Sequence, residues 1–342
     1  MTLARRLRIW FDKNQRDLPW RKTQDPYKIW LSEVMLQQTR VAAVIPYYLR
    51  FLERFPDYQT LAAAEESELL AMWSGLGYYS RARNLQKAAR LMVEAGSFPN
   101  SYEAIRSLPG VGDYTAAAVA SIAFGLPHVG LDGNIVRVIA RWTAESGDIK
   151  QTQTRARLLQ VAQDQLDRRH PGAYKQSLME LGAIICLPKV PQCIYCPIND
   201  DCGAKLQGLQ KTIPIQLKQT KPIQEEKTVL WIRDGDQVLL WQRAGDSPRL
   251  AGFWELPEPV MLKHTIPGKP LGEFTHSIVN HRYRILVRHA KLIGNVGDLC
   301  IWVRLDHLGT MPISTVLRKS LRLMKLDPRS ERTKGVKARD ES

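Results

Sequence analysis

Cys186, Cys193, Cys196 and Cys202 fall within 17 residues at the spacing C-x6-C-x2-C-x5-C, and no other feature restricts the fold of this chain so tightly. Four thiols held that close, in a loop containing several prolines, are placed to converge on one metal centre. Disulfides are not expected. The chain starts Met1-Thr-Leu-Ala-Arg-Arg-Leu-Arg-Ile-Trp, which reads as an amphipathic helix broken by charge rather than a secretory signal, so an intracellular setting is expected. Spacing alone does not separate a four-cysteine zinc site from a 4Fe–4S cluster. Cys300 stands apart in an apolar run and reads as a small core hydrophobe.

A chain of 342 residues has room for about two domains. Lysine and arginine number 49 against 34 acidic residues, a net charge of +15 with an isoelectric point near 9.7. Such an excess suits a polyanion, because each neutralised phosphate releases condensed counterions. General solubility is the alternative reading, with some of the excess in a basic tail. No run approaches the roughly 18 apolar residues of a membrane span.

Helical apolar spacing marks Arg6 to Phe11, Ile29 to Leu36, Val41 to Phe51, Leu61 to Met72 and Ala82 to Val93. Residues 204–226 lack a stripe and read as a linker. Beyond it the texture is strand-like. Thr228 to Arg233, an Asp234-Gly235 turn and Gln237 to Arg243 read as a hairpin, with more strands at Arg284 to Val287 and Leu299 to Arg304. Residues 327–342 are polar, charged and free of aromatics, and read as a disordered basic tail.

Three stretches carry chemistry. In Leu108-Pro-Gly-Val-Gly-Asp-Tyr, a helical stretch meets a Gly-x-Gly turn and a small-residue helix follows. Gly110 and Gly112 permit positive φ and close backbone approach, and the new helix offers unpaired N–H groups to a phosphate. That is the pattern of a helix-hairpin-helix; a plain turn between two helices has the same glycines. Asp132 precedes Gly133 where a helix begins, the usual place of an N-cap. Glu33 lies in the otherwise apolar Ile29-Trp-Leu-Ser-Glu-Val-Met, either on a solvated face or as a partly dry carboxyl with a raised pKa.

Leu31-Ser-Glu-Val-Met-Leu-Gln-Gln-Thr, Gly75-Leu-Gly-Tyr-Tyr-Ser-Arg-Ala-Arg-Asn-Leu, Leu108-Pro-Gly-Val-Gly, Leu131-Asp-Gly-Asn and the four-cysteine spacing occur in one order. Together they resemble the adenine DNA glycosylases of the MutY type, in the helix-hairpin-helix superfamily shared with endonuclease III. The likeness covers residues 1–205 closely and 227–325 more loosely. It implies a mostly α glycosylase domain at 1–203 with an iron–sulfur loop at 186–202, then the linker and an α/β Nudix-like domain at 227–326. The implied substrate is double-stranded DNA with adenine opposite 8-oxoguanine or guanine, met by a monomer with no membrane association.

The resemblance also implies roles. Glu33 matches the acid that protonates adenine N7, and Asp132 the carboxylate that stabilises the oxocarbenium-like sugar. Tyr114 stands where bifunctional relatives carry a Schiff-base lysine, so a monofunctional enzyme is expected. Trp20, Arg21, Gln176 and Glu180 match adenine-pocket positions. Gln37, Gln38, Leu76 and Tyr78 match DNA-contacting positions, and Asn134 belongs to the Asp132 motif. The four cysteines are expected to hold a 4Fe–4S cluster. Lys189, in that loop, is placed either for a phosphate or for solvent.

Val238-Leu-Leu-Trp-Gln-Arg and Leu250-Ala-Gly-Phe-Trp-Glu-Leu-Pro resemble the Nudix fold, but the glutamate-rich metal box is missing after Pro257, so a recognition module is expected. The family's Phe-Ser-His lesion-reading turn is matched to 276–284, which keeps His276 and His281, substitutes the residues between and contributes Asn280. Two other readings stay open: an endonuclease III-like pyrimidine glycosylase with lyase activity, and a non-catalytic iron–sulfur DNA-binding protein.

Overall fold

The computed structural model describes residues 1–216, 222–247, 250–262, 264–278, 280–294, 296 and 300–327. They form two compact units that do not follow chain order: Met1–Ala63 with Asn84–Gln219, and Ala64–Arg83 with Thr220–Ser342. Among the described residues no helix is long and apolar enough to cross a membrane.

The helices run α1 (Leu3–Asn14), α2 (Pro26–Leu36), α3 (Val41–Arg54), α4 (Tyr58–Ala63), α5 (Glu66–Trp73), α6 (Ser80–Glu94), α7 (Tyr102–Arg106), α8 (Asp113–Phe124), α9 (Gly133–Trp142), α10 (Thr152–Asp164), α11 (Pro171–Ile184) and α12 (Gly203–Leu206). Local chemistry sets their starts. Asp25 caps α2, its carboxylate accepting from Tyr27 N at 2.9 Å with Pro26 in the first helical position. Ser101 caps α7 in the same way. The helix expected over Leu61 to Met72 is broken into α4 and α5, where Glu65 turns extended with neither Pro nor Gly to announce it. The expected linker, 204–226, opens inside α12, and the first strand starts within it at Ile223.

Three helices of the first unit have almost no polar face. In α2 the run Ile29 to Met35 is buried throughout, as is Thr115 to Ser121 in α8, and α11 buries residues on all sides. A helix apolar all round belongs in a core. Accordingly α8 packs on α2 and α11, and α11 also on α1 and α9.

In the second unit, β1 (Ile223–Trp231), β2 (Arg233–Asp234), β3 (Gln237–Gln242), β4 (Trp254–Glu255), β5 (Thr265–Ile278), β6 (His281–Leu292) and β7 (Cys300–Arg304) make two sheets, with α13 (Thr315–Leu323) beside them. One sheet has the order β1-β6-β5, with β1 parallel and β5 antiparallel to β6. In the other, β3 pairs with β2, β4 and β7. Alternation sends Val229, Trp231, Val238 and Leu240 into one core with Leu317 and Leu321 of α13. Leu230, Ile232, Leu239 and Cys300 enter another, so Cys300 is a core hydrophobe.

One expectation for this half needs correction. The Asp234-Gly235 turn joins only the short β2 to β3, because β1 leaves to pair with β6. Of residues 276–284, His276 to Ile278 end β5 and His281 to Arg284 begin β6, with His276 opposite Tyr283. The expected tail lies outside the described residues except for Asp327, which is buried and bonded to Arg322 at 2.6 Å.

Candidate active site

Glu33 is buried in the middle of α2. Burial drives its carboxyl above the ordinary carboxylate range, opposed by the Lys175 ammonium and a hydrogen bond with Tyr114, and reinforced by the charge of Asp132. The dry-carboxyl reading of Glu33 is therefore the one the fold realises. Tyr114 opens α8, its hydroxyl also 3.4 Å from Met179 Sδ. Burial, then the charges of Glu33 and Asp132, push the phenol well above its usual value, so it stays neutral. Gly130 permits this crowding: a Cβ there would lie 2.8 Å from Tyr114 Cα.

Asp132 is half-buried and caps α9, as expected. One carboxylate oxygen accepts from Ile135 N at 2.7 Å and the other from Asn134 Nδ2 at 2.9 Å. Arg137 donates to Asn134 Oδ1 at 2.9 Å, and to the carbonyls of Gly182 and Cys186, both at 2.7 Å. The cap is thereby tied to the start of the cysteine loop.

Lys175 was not legible in the sequence. It is fully buried on α11, donating to the Tyr114 carbonyl at 3.0 Å, with Nζ 4.3 Å from the centre of the Tyr114 ring. Nothing in Tyr174-Lys-Gln marks it.

Beside this centre, Trp20 is buried and packs edge-on against Tyr48 at 5.4 Å. Glu180 offers no free carboxylate. Its oxygens take Arg16 at 2.7 and 2.8 Å and Arg21 at 2.7 Å. Burial alone would raise its pKa, but the two guanidinium groups outweigh that and hold it at about 2. Gln176 is half-buried on the same helix. Gln37 reaches Thr115 Oγ1 at 3.2 Å, while Gln38 is exposed with φ +55.

The helix-hairpin-helix turn needs Gly110, at φ +76, where a Cβ would lie 2.7 Å from Asn84 Cβ. Gly112 does not take the positive φ expected of it. It is the extended cap residue of α8, exposed and with nothing near its Cβ position, which keeps the backbone approachable.

The four cysteines are free thiols lining one cavity with Arg141, Leu181 and Ile198. Arg141 donates to Cys186 Sγ at 3.3 Å. Burial pushes the Cys196 thiol up to about 12, the amide of Ile198 opposes this, and the charges of the other three cysteines add to it. These are the residues able to hold a metal centre, since bound cations keep crowded thiols ionised. Among the described residues no group of three or more metal-ligating side chains closes on a single ion.

In the second unit Leu76 is buried rather than presented, whereas Tyr78 of the same loop is exposed, with φ +49. Tyr78 lines a cleft of about 520 Å³ together with Arg83, Lys227, Arg243 and His276. His276 is half-buried, its pKa lowered by burial and then by Lys319. His281 is engaged by Glu225 and stacks on Tyr283, and the Asn280 carbonyl accepts from Ile223 N at 2.8 Å.

The model of the HhH-GPD superfamily of base excision DNA repair proteins matches residues 31–163. The human adenine DNA glycosylase is 44% identical over 92% of this chain and 72% of its own length, and that of Arabidopsis thaliana 32% identical over 91% and 62%. The rat enzyme is 45% identical over 58% of this chain, a match spanning 41% of the rat protein. Among solved structures, a thermostable thymine-DNA glycosylase aligns with a TM-score of 0.55 and 30% identity, covering 60% of this chain and 95% of that one. An endonuclease III–DNA covalent intermediate, 22% identical with a TM-score of 0.51 over 60% of this chain and 95% of that one, shares the fold. With the repair domain carrying both Glu33 and Asp132, and the likeness to the human enzyme running through nearly the whole chain, this chain belongs to the adenine DNA glycosylase family.

Proposed function

We propose that this chain excises adenine from duplex DNA in which it is mispaired with 8-oxoguanine or guanine, hydrolysing the N-glycosidic bond and leaving the strand intact. The observation that carries the reading is the meeting, in one centre, of a buried carboxyl whose pKa burial raises with a second carboxyl, from another element, that caps a helix. Adenine is a poor leaving group unless protonated, and its departure leaves positive charge on the sugar. Glu33 gives its proton to N7, and Asp132 faces the charge that develops at C1′. Asn134 and the Ile135 amide hold Asp132 in one orientation. Tyr114 orients the Glu33 carboxyl and cannot form an imine, so no strand cleavage follows.

Trp20, Arg21 and Gln176 make the pocket for the extruded base, with Glu180 fixing Arg21. Gln38 and Tyr78, both exposed on left-handed backbone, meet the bases left behind. The Gly110–Gly112 turn and the first amides of α8 receive a phosphate. Residues 227–326 act as a Nudix-like recognition module in which His276, Asn280 and His281 face the lesion. The glycosylase chemistry of residues 1–203 resides in the first unit, from which residues 64–83 are excluded, and the protein works as a monomer inside the cell.

Cys186, Cys193, Cys196 and Cys202 hold a 4Fe–4S cluster, which when bound supplies iron–thiolate bonds that anchor the loop. A duplex labelled on the adenine strand tests the reading. Free adenine with a strand that breaks only in alkali is the expected product. Direct nicking favours the lyase reading, and no reaction favours a binding protein.

A further inference from the structure

Lys175 is the charged group of the centre that this chemistry leaves unused. An ammonium is costly to bury, and the fold keeps this one with no exposure. Its hydrogen bond goes to the Tyr114 carbonyl, so its charge reaches the carboxyls through space and leaves them to the substrate. The groups facing Glu33 are Tyr114 from α8, Asp132 at the cap of α9 and Lys175 from α11. Helix α1 also packs on α11, but its Arg8 is engaged by Asp167 at 3.5 Å and by His170.

We propose that Lys175 is a positioning residue acting through Glu33: its buried ammonium steadies the carboxylate left behind when Glu33 hands its proton to the base. The inference rests on the glycosylase reading above. In the step, the Glu33 O–H bond breaks, its electron pair stays on the carboxylate, and an N–H bond forms at N7. Burial alone would make Glu33 an acid that keeps its proton and gives it up poorly. A nearby cation lowers the energy of the anion formed and so strengthens the acid. Of the groups that oppose burial at Glu33, Lys175 is the larger. Burial lowers Lys175 as well, and with the opposing pull of Glu33 and Asp132 included it stands at about 8.

The test is the pH dependence of single-turnover adenine release by the full-length protein, comparing Lys175→Met and Lys175→Arg with the parent. Lys175→Met keeps the shape and removes the charge. Its plateau rate should fall roughly tenfold or more, within the range of general acid catalysis, and its alkaline limb should move to higher pH. Lys175→Arg should restore much of both. Melting temperature and duplex affinity, measured alongside, separate misfolding from a loss of chemistry. A fall in rate with an unmoved limb would show a merely structural lysine. Borohydride trapping of the parent that Lys175→Met abolishes would make it a nucleophile. Either result overturns the proposal, as does a Lys175→Met profile that superimposes on the parent's. Glu33→Gln is the control: if it keeps the parent rate, the acid role of Glu33 has failed, whereas its inactivation beside an unaltered Lys175→Met sinks the lysine inference alone.

Discussion

Two carboxyl side chains of similar chemistry, Glu33 and Asp132, stand in different surroundings. One sits in a helix with almost no polar face, the other at a helix start, where it accepts from the Ile135 amide. Glu33→Gln and Asp132→Asn should each bind duplex as the parent does yet release adenine at least about 100-fold more slowly in single turnover; parent-like release by either would remove it from the mechanism. Glu180 answers to pH in another way. Its folded-state pKa, about 2, lies below the ordinary 4.5, so its stabilisation is complete above the latter and fades as pH falls through the former. Breaking a buried, doubly paired carboxylate costs about 3–5 kcal/mol. Melting curves of the parent and Glu180→Gln should therefore stand well apart at neutral pH and converge on approach to pH 2. The motif around Glu33 was legible in the chain; its dryness was not, since that depends on α8 and α11. Lys175 carried no local signal at all, because a lysine becomes a buried cation only when distant helices close over it.

At the scale of elements, periodicity served where amphipathic helices meet solvent and failed where Pro and Gly mislead. Strand β5 holds Pro267, Gly268, Pro270 and Gly272, residues that read as loop. The strand absorbs them through register shifts between Pro267 and Gly272. The break between α4 and α5 left no mark because Glu65 is an ordinary residue in an extended conformation. The cysteine loop was legible from spacing alone, yet its support was not: Arg141 and Arg137 reach it from α9, one touching Cys186 Sγ and the other the Cys186 carbonyl. The purified protein should be yellow-brown, with about four irons per chain for a cubane held by four thiolates. Cys193→Ser should lower the iron content and weaken duplex binding. A colourless, fully active protein with one zinc would exclude the cluster.

The whole molecule is not the two consecutive domains that its sequence suggests. Residues 64–83 fold with the C-terminal half, where the Tyr79 and Phe253 rings lie 4.0 Å apart. Ser74 donates to the Ile313 carbonyl at 3.2 Å, and Arg318 to the Ser74 carbonyl at 2.8 Å. This grouping changes how lesion reading can be tested. Cutting the chain before Lys227 would remove the C-terminal partners of Ser74, Tyr79 and Arg83, namely Ile313, Arg318, Phe253 and Ala251, and with them support for the loop that presents Tyr78. Such a truncation should melt at lower temperature and lose adenine release on every substrate, which says nothing about discrimination. A substitution inside the intact unit is the cleaner experiment. 8-Oxoguanine differs from guanine at O8 and N7–H, so preference requires hydrogen bonds aimed there, each worth about 1 kcal/mol and hence a several-fold ratio. His276 lines the cleft with Tyr78. His276→Ala should therefore leave release of adenine opposite guanine near the parent rate while the preference for 8-oxoguanine shrinks several-fold in single turnover. Tyr78→Ala should slow release opposite both bases, because stacking serves either. An unchanged preference in His276→Ala, with the melting temperature preserved, would move lesion reading away from β5.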